Sequence, residues 1–507
     1  PIMYKWKGKI TPKMDDKTIT SSIDMVPTVL DILGVESYGV YTVVAGFVSM
    51  LSFLSQSMSI SIQRFLSFEM GSGNRNKLSH IFSTSSIIFF LIAIVMFVLS
   101  ETVGLWFVKN KLVIPKETFN EAILLYHFSV ITFCISIFRI PYIAVLQANE
   151  DMKLFAVLNI LESFLKLIAV VILPFFDANY LYLYGVFLLL GSIISLLFHI
   201  LLTVKKYKEA IFKFYFEKKL FKAILTFSGW SLFGLLAGVG NNQGNNILLN
   251  IFFGPTVNAA REVSVQVQNA IMSFTNSMFI AFKPQLIKSY AQNNFEYLMS
   301  LFYLSTKATF FLAGLICLPI YINCSEILHL WLPQVTQNMV TFVKLSLIYI
   351  TIFALNNPIT SIVQATEKIK KYFIIVETTI LTSLPLTYVF FKLDFPPEAT
   401  FWVSIFIFFI AHFIRLILLR ELIEFSISNY FKVFILKALV IIIFVIVGFY
   451  FIDILFNFSE IKSIIYTLLK TVFLFIIYII SCFLILLNKQ EKKSLAFLFN
   501  KYLPFKK

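Results

Sequence analysis

The chain reads as an all-α polytopic integral membrane protein of about 13 transmembrane helices: two six-helix lobes, the first lacking its first helix, plus two C-terminal helices. Composition comes first: 59% of residues are hydrophobic, 59 are Phe and the mean hydropathy is +0.85, too apolar for water to solvate as a monomeric globule. Segment length comes second. Apolar runs of bilayer length follow one another from Tyr38 to Leu487 with short polar breaks. About 20 apolar residues cross the hydrocarbon core, and a helix there satisfies its own backbone groups. The runs are solidly apolar and do not alternate, so barrel strands are excluded. The third feature is a basic bias confined to every second break.

The predicted spans are 38–68, 78–108, 121–148, 154–176, 180–204, 224–253, 258–282, 298–322, 339–365, 370–392, 398–421, 432–455 and 462–487. No break between them exceeds about 20 residues, so no soluble catalytic domain is inserted. The net charge of +15 would suit a nucleic-acid binder, but its distribution argues otherwise. One alternate set of breaks (69–77, 149–153, 205–222, 283–297, 367–371, 420–437, 488–507) holds about 24 Lys and Arg, the other about 5. That is the positive-inside bias, and it places the basic set and the C-terminal tail, 488–507, in the cytoplasm. Nucleic acid is not expected as a partner; membrane lipid is. Lys205, Lys206, Lys208, Lys213, Lys218, Lys219 and Lys222, interleaved with Phe212, Phe214, Phe216 and Phe221, make the linker 205–223 an amphipathic segment suited to anionic lipid.

Cys134, Cys317, Cys324 and Cys482 show no Cys-x-x-Cys pairing and read as small buried hydrophobes. The five histidines are scattered, and no phosphate-cradling glycine loop, Ser-His-Asp set or paired-carboxylate site is legible. No metal, cofactor or enzymatic activity is expected.

An internal repeat organises the lobes. Pro141, Gln147, Ala148, Glu150 and Lys153 recur as Pro358, Gln364, Ala365, Glu367 and Lys370 at a fixed offset of 217 residues. The offset spans six predicted helices, an even number, so both copies share one orientation, as in parallel-repeat transporters. Pro141 and Pro358 each remove an intrahelical hydrogen bond and are hinge candidates. The lobes are 35–204 (five spans) and 224–421 (six spans), followed by two additional spans within 432–487.

Val35–Asn74, with Gly39-Val-Tyr-Thr-Val-Val, Ser52-Phe-Leu and Gln63-Arg64-Phe65-Leu66-Ser67-Phe68-Glu69, resembles the second span of bacterial polysaccharide (O-antigen type) flippases. These belong to the multidrug/oligosaccharidyl-lipid/polysaccharide exporter superfamily. Phe227-Ser-Gly-Trp230 through Asn250 is similar to their seventh span, and Phe253-Gly-Pro-Thr-Val-Asn258 through Tyr290 to their eighth. The resemblance covers about 35–507 and implies fourteen spans in two six-helix lobes plus two. It also implies export of an undecaprenyl-pyrophosphate-linked oligosaccharide by alternating access across a bacterial inner membrane, with H+ or Na+ as the coupling ion. Residues 1–34 depart from it. Ser21-Ser22-Ile-Asp24-Met-Val-Pro27-Thr28-Val-Leu-Asp31-Ile-Leu-Gly34 resembles a sulfatase segment instead, without the Cys-x-Pro-x-Arg signature that activity needs. A chimeric or truncated N-terminus is the expectation; a divergent polar N-terminus is the alternative.

A pyrophosphate in low dielectric needs cations, and ionisable residues inside spans are costly. Arg139, Lys166, Lys307 and Arg64 are the cation candidates. Arg139, just before Pro141, either faces a cavity or snorkels. Glu162 and Lys166, four apart on one helix, pair either structurally or as a coupling site, with Glu162 the coupling candidate. Arg64 lies near a span end, where snorkelling competes with a cavity role. Arg261 and Glu262 are expected to neutralise each other, and His412 and Arg415 form a further weak pair. Within Asn241-Asn242-Gln243-Gly244-Asn245-Asn246, helical spacing groups Asn242, Asn245 and Asn246, with Gln266 and Asn269 on the next helix in reach. Amides suit sugar hydroxyls; interhelical hydrogen bonding is the alternative. Asn356 and Asn357 invite the same two readings.

Two other classes compete. A multidrug/cation antiporter of the same superfamily shares the architecture but calls for deep first-lobe carboxylates, where only Glu162 lies deep. A membrane-embedded glycan polymerase or ligase calls for a long outer loop; the longest, Asn323–Asn338, has no Lys or Arg.

Overall fold

The computed structural model describes residues 52–111, 119–176, 179–332, 334–366, 368–455 and 464–493. Residues 1–51, and with them the sulfatase-like segment and the expected junction, lie outside the described residues. A helix occupies each predicted span: α1 (Ser52–Gly71), α2 (Arg75–Asn110), α3 (Phe119–Ala148), α4 (Met152–Phe175), α5 (Tyr180–Lys206), α6 (Lys218–Phe253), α7 (Pro255–Ala291), α8 (Phe295–Ile322), α9 (Gln337–Ala365), α10 (Ile369–Lys392), α11 (Ala399–Leu422), α12 (Ile427–Phe451) and α13 (Ile464–Ser481). No strand occurs among the described residues. Ten of these helices are long and apolar enough to cross a membrane. α7 spans 37 residues but is diluted by amides and hydroxyls.

The helices start and stop for local reasons. Asp151 accepts from the Leu154 amide, Asn179 from Leu181 and Tyr182, Asn294 from Tyr297 and Thr336 from Met339, each supplying a partner to an orphaned first-turn donor. α1 and α7 end in the same way. The Asn74 amide donates to Glu69 O and the Gly73 amide to Met70 O; the Asn294 amide donates to Ser289 O and the Asn293 amide to Tyr290 O. Gly73 (φ 78°) and Asn293 (φ 56°) supply the left-handed residue such a turn requires. Glu150 takes the same conformation (φ 61°) at the end of α3. Between α6 and α7, Gly254 sits at φ 80° and ψ −177°, open in practice only to glycine, and Pro255 starts the next helix.

The described chain divides into two compact units, one through Leu235 and one from Leu236, with the boundary inside α6. In the first unit α3 is the hub, packing on α1, α2, α4 and α5. In the second, α7 packs on α8 and α9, α11 on α9 and α10, and the final pair α12–α13 reaches the unit through α8 and, at the start of α12, through α11. The two repeated prolines differ in setting. α3 stays helical through Pro141, whereas the α9 segment is interrupted at Leu355 and resumes at Asn356, two residues before Pro358.

The linker after α5 makes one short turn, Lys208–Ala210, and is then extended to Glu217. Lys206 bonds Asp151 at 2.6 Å, the Lys213 amide donates to Ser83 Oγ at 3.2 Å, and Tyr215 stacks on His80 at 3.7 Å. Phe212, Phe214 and Phe216 remain exposed beside the lysines.

Candidate functional site

The first unit gathers its intramembrane charges into one group. Arg139 of α3 donates through Nη1 to Glu162 of α4 and to Ser195 Oγ of α5, the latter at 3.0 Å. Lys166 reaches the other Glu162 oxygen at 2.9 Å. His199, 1% exposed, hydrogen-bonds Ser195 O at 2.8 Å. Arg139 is therefore neither a lone cavity cation nor a snorkelling one: its charge is compensated by Glu162, as a half-buried guanidinium requires. Arg139 Nε and His199 Nε2 find no hydrogen-bond partner among the described residues. Lys166 is the open member, with 53% of its side chain exposed. It continues an exposed polar stripe, Asn159–Ser163–Lys166, at one-turn spacing along α4.

Arg64 is fully buried, which corrects the snorkelling expectation. Its guanidinium lies 4.7 Å from the ring centre of Phe65, 4.8 Å from Phe68 and 5.8 Å from Phe227. Weakly hydrated guanidinium suits such an aromatic lining.

In the second unit the amide run of α6 binds protein, not open space. Arg261 of α7 donates to Asn246 and, at 2.7 Å, to Asn242. Asn245 donates to Asn241 at 3.2 Å, and Ser383 of α10 donates to the same Asn241 oxygen at 2.6 Å. Arg261 directs its hydrogen bonds to α6, while exposed Glu262 stays within electrostatic reach of it, so the expected Arg261–Glu262 neutralisation is joined by these bonds and not replaced. Gln266 and Asn269 do not supply the contact from α7 that Arg261 makes; they lie exposed. With Glu262, Ser273 and Asn276 they form a stripe at alternating four- and three-residue spacing along α7. Asn357 donates to Asn276 at 3.0 Å.

A further buried polar group joins α9, α10, α11 and α12. His412 Nδ1 meets Asn356 Oδ1 at 2.8 Å, and Tyr430 OH lies 3.4 Å from the other ring nitrogen. Arg415 Nε donates to Tyr372 OH at 3.1 Å, and that hydroxyl also meets Thr360 at 2.8 Å. His412 and Arg415 therefore act through separate partners. Glu377, 9% exposed, lies within electrostatic reach of Arg415. Lys307, 3% exposed, is held by both oxygens of Glu491 at 2.8 and 2.9 Å, so its charge too is compensated from within the chain.

The repeat extends into these contacts. Asn356 is Arg139 plus 217, and His412 is Ser195 plus 217; each pair is in contact. The same two positions bridge the same two helices in both units.

The family model for polysaccharide biosynthesis proteins matches residues 25–289, more than half of the chain. The chain belongs to the polysaccharide biosynthesis protein family. The match begins at Met25, within the stretch that resembles sulfatases. A second model, MatE, matches residues 245–389. No curated protein matches the chain. Among solved structures, a crystal structure of MATE in complex with MaD3S is 14% identical with a TM-score of 0.69, over 78% of this chain and 90% of that one. An outward-facing multidrug resistance MATE transporter of the MOP superfamily is 13% identical with a TM-score of 0.68, over 78% and 90%. A MOP superfamily transporter from Pyrococcus furiosus, described as having a binding pocket of reverse polarity, is 13% identical with a TM-score of 0.67, over 78% and 89%. At these identities the likeness concerns the fold. This member of the polysaccharide biosynthesis family is thus a multi-pass membrane protein with a MATE-like fold.

Several polar residues of this family member escape the sequence reading. Glu377 is a single carboxylate in an apolar run, the kind of signal that flags a buried charge. Asn159 stands alone among apolar neighbours and Asn276 lies between Thr275 and Ser277, and both become part of a stripe only once the helical face is known.

Proposed function

We propose that the protein moves an undecaprenyl-pyrophosphate-linked oligosaccharide from the cytoplasmic to the outer leaflet of a bacterial inner membrane by alternating access, with its C-terminus in the cytoplasm. Surface polysaccharide assembly is the process it serves, and an H+ or Na+ gradient drives it. The observation that carries this reading is the exposed stripe Glu262–Gln266–Asn269–Ser273–Asn276 on α7. Amides and hydroxyls facing hydrocarbon would be left unsatisfied, so the stripe belongs beside water or cargo, and its groups donate and accept as sugar hydroxyls do. The stripe on α4 adds Lys166, a cation for the pyrophosphate. Pro141 and Pro358 are the proposed hinges, and Glu162, whose charge already answers both Arg139 and Lys166, is the proposed coupling residue. Arg64, Lys307, Asn242, Asn245, Asn246 and Asn356 act in this reading as internal partners that shape the units around the stripes.

The MatE match over 245–389 favours a second reading, a multidrug/cation antiporter of the same superfamily. Proteoliposomes separate the two. Outward movement of a short undecaprenyl-pyrophosphate oligosaccharide is expected, and Gln266→Ala with Asn269→Ala is expected to reduce it about tenfold, as for two lost hydrogen bonds. Efflux of a lipophilic cation without glycolipid movement would replace the flippase with the antiporter.

A further inference from the structure

Lys307 raises a question that pairing alone does not answer. It is 97% buried by its 3% exposure, yet its counter-ion comes from Glu491, 184 residues later, in the short helical segment after α13. An ammonium sealed in a low-dielectric wall needs an anion in every conformation, because the uncompensated charge is strongly destabilising. Around the Glu491 carboxylate the charges are unequal. Lys307 grips it, and Lys437 of α12 lies within electrostatic reach of Lys307, Glu491 and Lys492. Lys307 and Lys437 thus bring two ammonium groups to one carboxylate, an excess of one positive charge.

The carboxylate is presented by a small device. Asn488 accepts from the Glu491 amide at 2.8 Å while Glu491 Oε2 accepts from the Asn488 amide at 2.7 Å, a reciprocal capping box. Lys492 Nζ donates to Leu484 O at 3.0 Å. These contacts are local to the segment; the bond to α8 runs through Glu491 alone among the residues described from 488 to 493. α13 itself is separately docked on α8, with Tyr478 OH donating to Phe310 O at 2.9 Å and Asn323 bonded to Thr471 at 2.7 Å. The terminal segment can therefore leave while α13 stays.

We propose that Lys307 and Lys437 form a phosphate site that Glu491 occupies as an internal anion, and that an anionic phospholipid headgroup displaces it. A phosphodiester offers the same pair of charged oxygens that Glu491 presents, so exchange keeps Lys307 paired throughout. By the positive-inside pattern the site lies toward the cytoplasmic face, where anionic headgroups are at hand. The contact is then a latch: closed, it ties the segment after α13 to α8; open, it admits lipid. The inference stands whichever cargo the transporter carries.

The full-length protein in detergent tests this with short-chain phosphatidylglycerol and, separately, inorganic phosphate. Removing the internal competitor by Glu491→Ala is expected to tighten phosphatidylglycerol binding about tenfold, as for a site occupied some nine-tenths of the time. Lys307→Met in the Glu491→Ala background should abolish the gain. In wild type, saturating phosphatidylglycerol should accelerate amide exchange over 488–493, which a merely structural ion pair would not show. A gain for inorganic phosphate alone assigns the site to a soluble phosphate and retains it as a phosphate site. Equal binding of both probes by wild type and Glu491→Ala, with unchanged exchange, overturns the proposal. If Glu491→Ala does not fold, the neutral pair Lys307→Met with Glu491→Met carries the test: phosphatidylglycerol affinity no weaker than wild type would equally overturn it.

Discussion

The two units place their central polar contact at the same positions and fill it with opposite chemistry. Arg139 meets Ser195 in the first and Asn356 meets His412 in the second, 217 residues on in both cases. In the first unit the contact is charged, compensated by Glu162, and set in a helix that runs unbroken through its proline. In the second it is neutral, and the helix stops at Leu355 immediately before it. A repeat conserves where helices touch more readily than what they touch with. The ion-paired contact fixes three helices together; the neutral one accompanies a joint. At the membrane face the contrast is one of sign. Asp151 at the start of α4 pairs with Lys206 at the end of α5, whereas Lys371 near the start of α10 pairs with Glu421 at the end of α11.

The strongest way to break this comparison is to unbalance the charged centre. Glu162→Ala is expected to destabilise the protein by about 3 kcal/mol, the low end for breaking a buried pair because both partners keep some exposure. Arg139→Met with Glu162→Leu should restore most of that, and thermal unfolding in detergent reads both. Equal losses in the single and double variants would mean that the group acts through packing and not through charge.

The next effect concerns the docked pair α12–α13 of the second unit. A Cβ on Gly314 would lie 2.1 Å from Tyr478 OH and 2.4 Å from its Cζ. Aligning the matching turns at Asn74 and Asn294 sets Gly314 against Ile94, an exposed bulky residue. Gly314→Ala should cost about 2 kcal/mol by overpacking, and Ile94→Ala almost nothing. His412→Ala follows, at about 1–2 kcal/mol, because it strands buried Asn356; chemical denaturation in micelles is the measurement.

The smallest effect is at Asp151. Burial works against its carboxylate, but hydrogen bonds from Lys206, Tyr207 and the Leu154 amide, with the charge of Lys206, hold it below the ordinary 3.8. A depressed carboxyl stabilises the fold above that ordinary value and ceases to as the pH falls through the folded one. Asp151→Asn should therefore lower the unfolding temperature slightly at neutral pH and not at all in strong acid. A loss independent of pH would assign the role of Asp151 to capping α4 alone.

The helices were legible because hydropathy and length are local properties, and the repeat because Pro, Gln, Ala, Glu and Lys recur in register. The pairings were not. A charge in an apolar run announces a cost without naming the partner that offsets it: Arg139 finds Glu162 across a helix interface, Lys307 finds Glu491 at the far end of the chain, and Arg64 finds aromatic rings. The amide run shows the same limit. Its composition pointed to sugar, and its geometry gives Asn242 and Asn246 to Arg261, leaving Gln266 and Asn269 as the open amides. Whether a polar side chain faces a neighbour or an opening depends on helix rotation, which no short sequence window contains.

The polar stripe of α7 bears on how the chain enters the membrane at all. A segment carrying Glu262, Gln266, Asn269, Ser273 and Asn276 partitions poorly into lipid by itself, since each such group raises its insertion free energy. The preceding helix is apolar over much of its length and offers Asn242 and Asn246 to Arg261 across a tight glycine–proline corner at Gly254–Pro255. During synthesis, α7 is then best released from the translocon in company, as a hairpin already bonded to α6. The arginine that later holds the two helices together would first have served as the ticket of admission for the second.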